Sequence, residues 1–201
     1  MKDICVWTVC LCTAVFGSCY VYQIWRRKAV PTTSTWVIFL VGCGLSFTTY
    51  IIAENKDLKS GIMNTVDVAY VTLILAAIFL WTGHEMRFKP FEKWYLAAAG
   101  LILAYGIVTG DAWNSNILTQ ILMGIAYLPM WQKLLSEKRK TDSYFAWVPT
   151  IFTGAISLYP AIYEGNALAV IYSARAFFCT LATTLLMLYY QIKSNRTASA
   201  A

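Results

Sequence analysis

The sequence predicts an all-α membrane protein, seven transmembrane helices in one bundle, and three features carry that prediction. Apolar residues fill 59% of the 201 positions and charged residues only 13%, against about 45–50% and about 25% in soluble domains. The apolar residues gather in seven runs, at about 4–25, 34–53, 62–82, 94–110, 116–135, 144–163 and 167–192, each near the roughly 20 residues that cross a bilayer. Cations collect in alternate gaps between those runs.

The first run reads as a retained helix. Lys2 is balanced by Asp3, and the strong cluster Arg26, Arg27 and Lys28 follows the apolar stretch, the reverse of a cleaved signal peptide. Its cysteines Cys5, Cys10, Cys12 and Cys19, like Cys43 and Cys179 elsewhere, show neither metal-type spacing nor a secreted disulfide framework, and read as packing residues. Trp36 opens the second run. The third carries Asp67 and the seventh Arg175, ionisable groups at membrane depth. The fourth, WYLAAAGLILAYGIVTG, is rich in small residues, with Gly106 and Gly110 at GxxxG spacing for close helix approach. The fifth ends in YLPMWQK, and the sixth opens on Trp147 with Pro149 just inside.

Charge sets the expected orientation. Arg26, Arg27, Lys28, Arg87, Lys89 and Lys93 share one side with Lys133, Lys138, Arg139, Lys140, Lys193 and Arg196, while the other side holds Lys2, Lys56 and Lys59. The positive-inside bias then places the N-terminus outside and the C-terminus in the cytoplasm, in the plasma (inner) membrane. A net charge of +6 would suggest nucleic acid in a soluble chain, but here the cations meet anionic lipid headgroups and no nucleic-acid partner is expected. A homo-oligomer is compatible with the pattern.

Two stretches resemble one another. YQIWRRKAVPTTSTW (22–36) and YLPMWQKLLSEKRKTDSYFAW (127–147) each pass from an apolar run through a glutamine, a basic cluster and a Thr/Ser pair to a tryptophan. Ser46 and Ser157 follow ten residues after Trp36 and Trp147, and Glu54 and Glu164 close those helices. This predicts a duplication: one repeat over about 1–83, a linker helix over about 94–110, a second repeat over about 114–192 and a short polar tail, 193–201, all in a single transmembrane domain with a 3+1+3 parallel-repeat plan. With these features the chain resembles the SWEET and PQ-loop superfamily of seven-helix transporters. Gln23, and Pro129 with Gln132, resemble that family's Pro-Gln pairs, although the first copy lacks the proline. The resemblance implies a SWEET-like fold and hinge or gating roles for Gln23, Pro129, Gln132 and Pro149. The nicotinamide riboside transporter group and the KDEL retrieval receptor share related plans.

Charges buried in a membrane are functional candidates. Asp67 lies 13 residues after Glu54, and Arg175 lies 11 after Glu164, so the two are expected to meet across the pseudo-twofold axis, lining a cavity or locking two helices together. Asn64 and Tyr70 share the stripe of Asp67, and Tyr172 that of Arg175; Ser46 and Ser157 supply deeper polar contacts. An acid, a guanidinium, an amide and two phenols suit a small polar or zwitterionic solute. His84, the only histidine, sits in a loop beside Glu85, and no nucleophile elbow, zincin or phosphate-loop motif occurs. An enzyme, a cofactor and a metal site are therefore not expected. The expected function is a transporter working by alternating access; the alternatives are a ligand-binding receptor on the same scaffold, as in the KDEL receptor, and a vitamin or nucleoside facilitator of the nicotinamide riboside type.

Overall fold

The computed structural model describes residues 1–29, 31–53, 58–82, 88–138 and 143–199, with side chains as far as 194. Glu54, Lys56, His84, Glu85, Arg87, Arg139 and Lys140, and the side chain of Arg196, lie outside the described residues. The described chain is helical throughout: α1 (Lys2–Trp25), α2 (Thr33–Ala53), α3 (Ile62–Trp81), α4 (Pro90–Thr109), α5 (Ala112–Ile125), α6 (Leu128–Glu137), α7 (Tyr144–Tyr163) and α8 (Ala167–Ser199). Six of these, α1 to α4, α7 and α8, are long and apolar enough to cross a membrane.

The expected fifth run, 116–135, is broken. Pro129 has no N–H to offer the carbonyl one turn back, and the chain tightens at the break, where the Tyr127 amide donates to Gly124 O at 3.2 Å. The 14-residue α5 and the 10-residue α6 are the result, each too short to span alone. In contrast α8 has 33 residues, about 50 Å of helix, and runs through most of the stretch expected to be a polar tail. Pro90 starts α4, four residues before the expected 94, and Glu92 caps it by accepting the Lys89 amide at 2.7 Å.

Neighbour relations place the polar groups. Helix α3 packs against both α1 and α2, and α8 against α5, α6 and α7; α1 also packs on α7, α2 on α5, and α4 covers α2 and α5. Two glycines permit close approach. A Cβ on Gly154 would stand 3.2–3.3 Å from the backbone and Cβ of Phe177, so α7 and α8 touch through main chain. A Cβ on Gly106 would lie 2.7 Å from Ser115 Oγ, so α4 and α5 approach closely there. Gly110 is not its partner in a packing stripe: at φ +68° it forms the left-handed turn that ends α4.

Candidate functional site: a central cavity closed by an aromatic layer

Helices α2, α3, α5, α7 and α8, with Tyr127 of the α5–α6 turn, line a cavity of about 50 Å³, room for roughly four water molecules. Asp67 and Arg175 both line it and both are partly exposed to it. Tyr172, fully buried, stands between them: its hydroxyl donates to Asp67 Oδ2 at 2.8 Å, and its ring centroid lies 4.7 Å from the Arg175 guanidinium carbon. Each charge thus has a compensating contact, as burial at this depth demands. No ion pair joins Asp67 to Arg175 among the described residues; of the two alternatives, lining a cavity or locking two helices, both residues line the cavity and the Tyr172 phenol stands between their charges.

Toward the end of the bundle that bears the N-terminus, the cavity is sealed by amides. Arg175 Nε donates to Gln120 Oε1 at 2.9 Å, while Gln120 Nε2 donates to Ser46 Oγ at 2.7 Å and to Asn116 Oδ1 at 3.1 Å. Asn64 Nδ2 also donates to Ser46 Oγ at 3.2 Å, and Asn116 Nδ2 donates to Ser46 O and Thr49 Oγ1 at 2.8 and 2.9 Å. The network ties α2, α3, α5 and α8 together. A second layer lies beyond it, in which Asn166 Nδ2 donates to Tyr50 Oη at 2.9 Å and Ser60 Oγ at 3.0 Å, while Asn166 Oδ1 caps α8. Lys2 pairs with Glu164, and Lys59 with Asp3 at 3.0 Å, at that end of the molecule. Asp111, which caps α5, is held below the usual carboxylate range by hydrogen bonds from the backbone and then the side chain of Asn114.

Toward the opposite, basic end lies a vestibule of about 200 Å³ between the starts of α2 and α4 and the α5–α6 break, with Lys89, Glu92, Pro129 and Lys133 on its wall. Trp36, Phe39, Tyr127 and Trp147 line both it and the central cavity. Their rings touch: Phe39 lies 5.5 Å from Tyr127 and 6.2 Å from Trp147, and Tyr127 lies 5.8 Å from Trp147. This aromatic layer separates the two spaces.

The structure therefore brings Asp67, Tyr70, Tyr172 and Arg175 together at the cavity, and Asn64 and Ser46 just beyond it in the seal. Ser157 is buried away from the cavity, its hydroxyl donating to Ser173 Oγ at 2.9 Å between α7 and α8. Gln23 Oε1 accepts the Ser143 hydroxyl at 2.9 Å and joins the end of α1 to the start of α7. Pro129 sits at the α5–α6 break and Pro149 inside α7, whereas Gln132 is exposed on α6 and touches neither space. Sequence reasoning missed Gln120 and the aromatic layer, and read Asn116 only as part of an outer, helix-capping segment. Gln120 carries no charge to mark it in an apolar run, and the four rings come from two helices and the α5–α6 turn. Scanned against protein-family models, curated proteins and solved structures, the chain matches none of them.

Proposed function

We propose that the chain is a transporter of a small polar or zwitterionic solute, working by alternating access between two three-helix units joined by α4. One unit is α1 to α3; the other is the broken α5–α6, α7 and α8. Three contacts support a pseudo-twofold relation of this SWEET-like kind. Helix α3 lies between α1 and α2 as α8 lies between α5–α6 and α7; α1 meets α7 as α2 meets α5. Ser46 bonds to Asn64 as Ser157 bonds to Ser173. Under that pairing Asp67 corresponds to Ala176, the neighbour of Arg175, and both line the cavity.

The single observation that carries the proposal is the aromatic layer. A charged cavity with a buried amide network on one side, and on the other a layer of rings that faces a vestibule, is the arrangement expected of a site between two gates. The experiment is uptake of labelled amino acids, vitamins and sugars into proteoliposomes, for the wild type, Asp67→Asn and Arg175→Gln. Loss of flux with folded protein retained is expected; saturable binding with no flux from the wild type would make the protein a receptor instead.

A further inference from the structure

The groups left unpaired in the cavity name a narrower class of solute, if the transporter reading holds. Arg175 is fixed through Nε by Gln120 and stacked on Tyr172, and its two terminal amino groups have no hydrogen-bond partner among the described residues. That leaves the flat pair of donors that a carboxylate takes two at a time. Asp67 spends Oδ2 on Tyr172, and Oδ1 has no hydrogen-bond partner among the described residues. The remaining wall includes five aromatic residues, Trp36, Phe39, Tyr70, Tyr127 and Trp147. The ring faces attract a cation, and the carboxylate reinforces them. Four residues that carry hydroxyls, Tyr70, Tyr127, Thr150 and Thr180, also line the cavity; Thr180 donates its proton to the Ala176 carbonyl at 2.7 Å and keeps its lone pairs.

A primary ammonium has three hydrogens to place on acceptors, while five of the residues that line this cavity are aromatic. A fully alkylated ammonium needs none and gains from each ring it touches. A carboxylate and a guanidinium in the wall also balance a solute that carries one charge of each sign, so no net charge is buried. We infer that the central cavity takes a short zwitterion whose negative end is a carboxylate, held by Arg175, and whose positive end is an alkylated ammonium, held by Asp67 within the rings of Trp36, Tyr70, Tyr127 and Trp147.

The test uses the full chain, purified and in proteoliposomes, with four probes: glycine betaine, glycine, choline, and tert-butylacetate, which copies the shape of betaine without its positive charge. Betaine is expected to raise the melting temperature at the lowest concentration. The other three should bind at least tenfold more weakly, about 1.4 kcal/mol: tert-butylacetate because it offers the rings no cation, choline because it offers Arg175 no carboxylate, and glycine because its ammonium carries no methyl groups. Trp147→Leu should abolish that preference, and Trp147→Phe should keep part of it with the fold intact. Equal binding of glycine, or of tert-butylacetate, overturns the assignment. Flux of some other solute that betaine does not inhibit also overturns it while leaving the transporter standing. Saturable betaine binding without flux does the opposite: the solute class stands and transport falls.

Discussion

Both hydrogens of the Gln120 amide are engaged, one by Ser46 Oγ and one by Asn116 Oδ1, and its oxygen accepts from Arg175 Nε. The reversed amide would turn its NH2 toward the guanidinium, so this orientation is fixed. Gln120→Leu leaves Asn116 Oδ1 and Arg175 Nε without this partner, while Ser46 Oγ keeps its bond from Asn64; a buried polar group costs about 1–3 kcal/mol when unpaired. We expect a large fall in melting temperature in detergent, and Gln120→Glu, which keeps an acceptor for Arg175, should recover part of it; equal stability of Gln120→Leu and the wild type would remove the residue from the seal. A second expectation compares two glycines. Gly154→Ala crowds the Phe177 backbone at 3.2–3.3 Å, whereas a Cβ on Gly44 meets nothing within 4 Å. The first should cost about 1–3 kcal/mol as an overpacked contact and the second should be neutral by the same melting assay. Asp67, Arg175 and Tyr172 were legible in the sequence because a charge inside an apolar run stands out, and because a helical stripe gathers its neighbours. The amides of α5 were not, since Gln120 meets Ser46 and Arg175 only once the rotations of three helices are fixed, and no local spacing records that.

At the scale of elements, the α5–α6 break is the feature that composition alone concealed. The run 116–135 is long enough to span, yet Pro129 divides it beside the vestibule. Pro129→Ala restores an N–H and removes the ring clash, so the two pieces are expected to join into a straighter helix. Stability should then rise or hold while exchange of solute slows, because Tyr127 of the aromatic layer sits at the break; faster exchange would argue that the break is only structural. The start of α5 gives a pH test. Asp111 has a lowered pKa in the folded chain, so its stabilising contribution is present above the unfolded value near 3.9 and is lost as pH falls through the lower folded value. Asp111→Ala is expected to melt earlier than the wild type at neutral pH, with the difference shrinking in strong acid, whereas Asp111→Asn keeps an N-cap acceptor and lies between them. The seven apolar runs located every spanning element because bilayer thickness dictates their length. What they left out, the split of the fifth and the extension of the seventh into α8, depends on backbone hydrogen bonds and on helix propensity past the membrane, to which hydropathy is blind.

For the whole molecule, the two ends differ in both charge and closure, and these differences have to agree if the proposed mechanism holds. The basic end carries the vestibule, while the end with the N-terminus carries two layers of buried amides and hydroxyls. The basic end is itself asymmetric. The seam between α1 and α7 is fastened by Gln23 and Ser143, but the related seam between α2 and α6 is open as the vestibule, past Thr35, Pro129 and Lys133. If the cations face the cytoplasm, as the positive-inside bias requires, this is a conformation that admits small reagents from the cytoplasmic side as far as the aromatic layer and no further. Thr35→Cys places a thiol on the vestibule wall, and Ser46→Cys one in the seal. An impermeant maleimide is expected to label Thr35→Cys, above the background of the six native cysteines, in inside-out vesicles but not in right-side-out ones, while Ser46→Cys stays unlabelled from both sides. Phe39→Ala, which removes the ring shared by three of the aromatic contacts, should join vestibule to cavity and let solute leak without saturation. Labelling of Thr35→Cys from the outside would reverse the orientation, and saturable flux in Phe39→Ala at the wild-type rate would mean that the rings are packing and not a gate.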